Sequence, residues 1–147
     1  MADIANLINY EQTYAVPLIG GGKEIGITFN IVSFDSDRVV KATRAVEAKK
    51  WQAVFESEDK KADPERLAEL SEESRRERLV ACIDSWDFGG HSFGDLPADP
   101  ECNDANKRYV INHPNALWIR QQIEAKGADI GNFTNLSELP SRKKSKS

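Results

Sequence analysis

Glu24-Ile25-Gly26-Ile27-Thr28-Phe29-Asn30-Ile31-Val32 is the stretch that decides the fold. Ile25, Ile27, Phe29 and Ile31 alternate with Gly26, Thr28 and Asn30, and a period of two puts the large apolar side chains on one face of a β-strand. Just upstream, Gly20-Gly21-Gly22-Lys23 has turn composition, and Tyr14-Ala15-Val16-Pro17-Leu18-Ile19 before it is a short apolar run. Together these segments predict a β-hairpin over residues 13–34. Pro17 has no N–H to give to a ladder, which assigns the first strand to a sheet edge. Two strands alone are barely stable in water, so the apolar face must lie on helices or on another copy.

Downstream, Asp35-Ser36-Asp37 supplies N-cap chemistry for a helix over 38–58. Its stripe is Val39, Thr43, Val46 and Val54, with the stem of Lys50 inside it and Trp51 to one side. A densely charged stretch from Glu56 to Arg78 follows. Pro64 suits the first turn of a short helix, 64–70, carrying Leu67 and Leu70. Ser74 and Glu77 have capping-box spacing. Leu79, Cys82, Ile83 and Trp86 fall at i, i+3, i+4 and i+7, which predicts a further helix over 72–86. The offset between the two stripes places a break near Ser71. Gly and Pro between Asp87 and Pro100 make a loop with room for a small hairpin. Two more helices are expected, 101–111 and 115–126, separated by Asn112-His113-Pro114. The last has Ala116, Ile119 and Ile123 on one face and Gly127 as its stop. Ile130-Gly131-Asn132-Phe133 then returns one aromatic to the fold. The expectation is an α+β protein: an N-terminal β-hairpin packed on a small bundle of four to five helices, a single domain over 1–140, and a disordered basic tail at 141–147.

Composition narrows the function classes. With 147 residues, 39% apolar and 30% charged, the chain can build one domain with a modest core, which self-association or a partner would supplement. Met1-Ala2-Asp3-Ile4-Ala5 carries an acid where a secretory signal carries a base, and no apolar run suits export or a bilayer span, so neither is expected. Cys82 and Cys102 are too few for a disulfide scaffold and are expected as reduced thiols. The net charge is −4, and without the four bases Arg142, Lys143, Lys144 and Lys146 it is −8. Nucleic-acid binding needs a basic field, so no nucleic-acid partner is expected.

Sites for chemistry fail on spacing. Structural zinc sites bring thiols in close pairs, whereas Cys82 and Cys102 are far apart with His91 between them. Cys82 lies on an apolar face and is expected to behave as a small buried hydrophobe. His113, before Pro114, is expected to cap a helix or donate to a nearby carbonyl. Gly20-Gly21-Gly22-Lys23-Glu24 resembles a phosphate loop in composition only, because a strand follows where a helix N-terminus is needed. Acid pairs such as Asp35 with Asp37, or Glu58 with Asp59, sit in charged segments without the cleft that paired-carboxylate chemistry requires. No catalytic residue, metal or cofactor is expected.

The aromatics remain. Trp51, Trp86 and Trp118 fall on three separate predicted helices, with Phe55 and Phe133 near helix ends. A shared core is the simplest use for them. The alternative is contact with a partner, since large aromatics dominate protein interfaces. Trp118 is the best candidate, standing off the Ala116/Ile119/Ile123 face. Trp51, Phe55, Trp86, Trp118, Gln122 and Phe133 are therefore the candidate protein-binding residues, suited to helix-in-groove recognition.

Between Leu70 and Phe133 the chain resembles the small tail assembly chaperones of long-tailed bacteriophages. Leu79-Val80-Ala81-Cys82-Ile83 leads into Ser85-Trp86-Asp87, where such proteins carry a Gly-Trp-Asp/Asn step, here with Ser in place of Gly. A Gly/Pro loop follows, then Asp104-Ala105-Asn106, Pro114, the Trp118–Ile123 helix and Asn132-Phe133. Gly26-Ile27-Thr28-Phe29 matches a strand upstream. The resemblance implies a non-enzymatic protein of the infected cell's cytoplasm, absent from the mature virion. It would bind the tape measure protein, keep it from aggregating and help recruit tail tube protein. It also allows a longer, frameshifted form, with which Lys143-Lys144 is compatible. A virion structural or connector protein is the first alternative, and a host regulatory or antitoxin-like binding module the second.

Overall fold

The computed structural model describes residues 4–56 and 63–134. Strands β1 (Tyr14–Gly20) and β2 (Lys23–Ile31) form the expected hairpin, joined by Gly21 and Gly22 at φ 61° and 82°. Positive φ at both central residues matches the right-handed twist of the flanking strands, and glycine reaches it without strain. The sheet is antiparallel in the order β1-β2-β3, so β1 is an edge and Pro17 sits where its missing N–H costs no ladder bond. Val16 and Leu18 of β1, with Ile27, Phe29 and Ile31 of β2, point to the buried face. Pro17 pairs with Thr28 but Ile19 with Glu24, and Gly26 absorbs the extra residues at φ 86°.

The third strand corrects the expected 72–86 helix. Helix α2 runs from Pro64 to Cys82, and Ile83–Asp87 is strand β3. Thr28, Phe29 and Asn30 pair with Asp87, Trp86 and Ser85, and Asn30 Nδ2 donates to Ser85 Oγ at 3.0 Å. Leu79, Cys82 and Ile83 are all buried at this junction, so the helical spacing was satisfied by a helix end followed by a strand start. A polar edge on β2 needed a partner, and that requirement overrode the local period.

The break near Ser71 is also absent. Asp63 caps α2, its carboxylate accepting from Glu65 N, and Pro64 opens the first turn as expected. Ser74 lies mid-helix and donates to Glu47 Oε1 at 3.2 Å, so it caps nothing. Glu47 belongs to α1 (Asp37–Glu56), which packs antiparallel to α2 and is bridged to it again by Lys49 and Glu73 at 3.4 Å. The two stripes of α2 are offset because its ends pack differently. Leu70 is buried outside the main core cluster, whereas Leu79, Val80 and Cys82 belong to it.

Phe88 and the loop after it complete one side of the core; where a small hairpin had room, the loop makes a single antiparallel bridge, Phe93 to Leu96, and no strands among the described residues. Helix α3 spans Asp104–Asn112, starting later than expected because the Asn103 side chain caps it by accepting from Asn106 N. Arg108 forks onto Glu77 and bonds Asp104, fastening α3 to α2; these carboxylates hold its guanidinium above the usual pKa. Helix α4 spans Leu117–Gly127 with Ile119 and Ile123 buried. Gly127 is its last residue and not a left-handed cap; glycine is needed there because a Cβ would lie 2.4 Å from the Phe34 ring. The chain is α+β as expected, with one contiguous main core between sheet and helices. The expected 141–147 tail, the 57–58 end of the first helix and the Glu58/Asp59 pair lie outside the described residues.

Candidate protein-binding surfaces

Helix α4 is placed by the turn before it. Arg120 Nη1 donates to Ile111 O at 2.7 Å and to His113 O at 3.2 Å, tying the first turn of α4 to the end of α3. With Ile119 and Ile123 facing the core, Trp118, Gln122 and Ala125 face the edge of the sheet. Ile19 N donates to Gln122 Oε1 at 2.7 Å, and Gln122 Nε2 donates back to Ile19 O at 3.0 Å. A single side-chain amide thus makes both bonds that a neighbouring strand residue would make.

Alternation from Ile19 turns the N–H and C=O of Ala15 and the C=O of Pro17 toward the same outer side. Between this edge and α4 lies an apolar groove of about 650 Å³. Tyr14, Val16, Pro17, Trp118 and Ala125 line it, and Lys126 is the single charged residue of its lining among the described residues. Trp118 is 37% exposed, so it forms a wall and keeps a free face.

The other candidates are distributed elsewhere. Trp51 and Phe55 are exposed on α1, with ring centroids 6.3 Å apart, and do not line the groove. Trp86 stands on β3 and not on a helix; it is half-buried against Phe29 and Phe88, and its Nε1 donates to Pro100 O at 2.8 Å. Phe133 corrects the binding reading outright. It is fully buried, edge-on to Tyr14, and has no surface to offer a partner. Sequence reasoning therefore found α4's half of the groove, Trp118 and Gln122, and missed β1's half. Pro17, as an edge marker, was the available signal.

Cys82 is buried, its Sγ donating to Leu79 O at 3.1 Å, and burial pushes its pKa up to about 12. Burial also raises that of the half-buried Cys102. In the folded protein at neutral pH, Cys102 is expected to react slowly with a maleimide and Cys82 not at all until denaturant is added. Peptide mapping of the labelled chain checks this; Cys82 labelling first would contradict the burial argument.

His91 Nε2 donates to Ile25 O at 3.1 Å. His113 caps the C-terminus of α3, one of the two roles expected for it, and its Nδ1 accepts from Asn115 N at 3.0 Å in place of the expected alternative of donating to a carbonyl. No group of three or more His, Cys, Asp or Glu is placed to hold a metal among the described residues, and none of their helices is long and apolar enough to cross a membrane. Compared with protein families, with curated proteins and with solved structures, the chain matches none.

Proposed function

We propose that this protein is a non-enzymatic binding module that holds another polypeptide in the groove between β1 and α4. We further propose that it is a tail assembly chaperone of a long-tailed phage or prophage. Its first client would be the tape measure protein and its later partner the tail tube protein, both met in the bacterial cytoplasm. One observation carries the binding reading: an apolar groove with a half-free tryptophan beside an outward-facing backbone edge. Apolar clients without their own core need such cover, and the aromatic supplies most of the contact energy. The phage assignment is carried by the resemblance over Leu70–Phe133.

Co-expression with the tape measure protein, followed by pull-down, tests both statements. Trp118→Ala is expected to weaken capture by about 10- to 30-fold, the loss typical of a central aromatic anchor. Its cost in stability should be below that of truncating a fully buried aromatic, because Trp118 is 37% exposed. Undiminished capture by the variant would remove Trp118 from the contact, and no capture by the unmodified chain would overturn the client. Mass spectrometry of purified particles separates the alternatives. A stoichiometric amount in the virion would favour a structural or connector protein instead.

A further inference from the structure

The outer face of α1 is a second apolar surface with a different geometry. The inner face, Val39, Thr43, Val46 and Lys50, is buried or half-buried beside α2. On the outer face Arg44, Ala48, Trp51 and Phe55 are all exposed, at successive spacings of four, three and four. That is the stagger of a helix–helix seam. Trp51 is 61% and Phe55 75% exposed, in an i, i+4 pair on a 20-residue helix. Single exposed apolar residues need no explanation, but a seam of this kind on a helix already packed on its other side does.

We infer that the outer seam of α1 is a self-association surface on which α1 of a second copy packs antiparallel. The seam's own pattern selects this occupant. Antiparallel packing about a two-fold axis sets Trp51 against Ala48 of the second copy and Phe55 against Arg44 of the second copy. Large then meets small, and a guanidinium meets a ring face. Arg44 makes no hydrogen bond or ion pair among the described residues, so its charge is uncommitted within the fold. Parallel packing would instead stack Arg44 on Arg44 of the second copy. A wholly apolar client helix would leave that cation buried and unanswered.

The available area sets the strength. The two aromatics offer about 300 Å² per copy. With Arg44, Ala48 and Gln52 the interface reaches about 1,000 Å² in total, the lower bound for a specific association. A reversible, concentration-dependent dimer follows. It is independent of the client reading, because the groove is built from β1 and α4.

Sedimentation velocity of the full chain over a concentration series tests the proposal. The mass should rise from 16.4 kDa toward twice that value. Trp51→Ala combined with Phe55→Ala should stay monomeric throughout with an unchanged thermal melt, since both side chains are exposed. Orientation is read in a Cys102→Ser background. Chains carrying Ala45→Cys should form disulfides with chains carrying Gln52→Cys faster than either does with itself. A monomer at every concentration would overturn the inference, as would a dimer undiminished in the double variant or faster self-linking by either single-cysteine chain. Seam variants that lose client capture while the unmodified chain stays monomeric would assign the face to the client instead.

Discussion

Gly89→Ala is expected to lower the stability of the fold by about 3 kcal/mol or more, the sum of a backbone and a packing effect. Gly89 sits at φ 57°, where a Cβ is itself unfavourable, and that Cβ would lie 2.2 Å from the carbonyl oxygen of Gly26. Backbone atoms cannot rotate away as a flexible side chain would. The region is also pinned: Asp87 Oδ1 accepts from Gly89 N at 2.8 Å, Asp99 Oδ1 from Gly90 N at 2.7 Å, and His91 reaches Ile25 O across the same contact. Two glycines thus let the turn after β3 rest on the irregularity in β2. Gly90→Ala is the control. Its φ is 88°, but an added Cβ meets nothing within 4 Å, so only the backbone strain of about 1 kcal/mol applies. Urea denaturation, compared at equal m-value, measures both. Equal losses in the two variants would show that the close approach to Gly26 is not what constrains this turn.

That contact marks the boundary of what the sequence could reveal. The hairpin was legible because its causes are local: alternation from Ile25 to Ile31, two glycines at the turn, and a proline confining β1 to an edge. The packing faces of α1 and α4 were legible for the same reason. β3 was not, since Ile83 and Trp86 continue a helical spacing that only the open edge of β2 overrides. Nor could Ser71 be read correctly, because an apparent break can equally be one helix changing the surface it packs on. Half of the groove was hidden by distance along the chain. Gln122 and Ile19 are 103 residues apart, and nothing in either neighbourhood announces that a side-chain amide will occupy a strand's place. Gly127 illustrates the same point: its position at the helix end was readable, but the Phe34 ring that requires its missing Cβ comes from a distant part of the sequence, just after β2.

Phe133→Ala is expected to cost about 3–5 kcal/mol, the range for truncating a fully buried phenylalanine. The ring lies at the end of the short 3-10 turn Ile130–Phe133, which Asp129 caps by accepting from Gly131 N. It packs at 6.1 Å from the Tyr14 ring, and its carbonyl accepts from Asn9 N at 2.8 Å. Tyr14 also lines the groove, so Phe133 supports one wall of the binding surface from behind without meeting a client. Stability and capture should therefore separate. Loss of the ring should move the thermal and urea midpoints far down, while capture per folded molecule at low temperature falls much less than with Trp118→Ala. Trp118→Ala should do the reverse. A Phe133→Ala chain that melts like the unmodified protein yet releases its client would place that ring in the contact and overturn the division between support and surface. Measuring both quantities on both variants distinguishes a residue that builds the groove from one that fills it, which a binding assay alone cannot do.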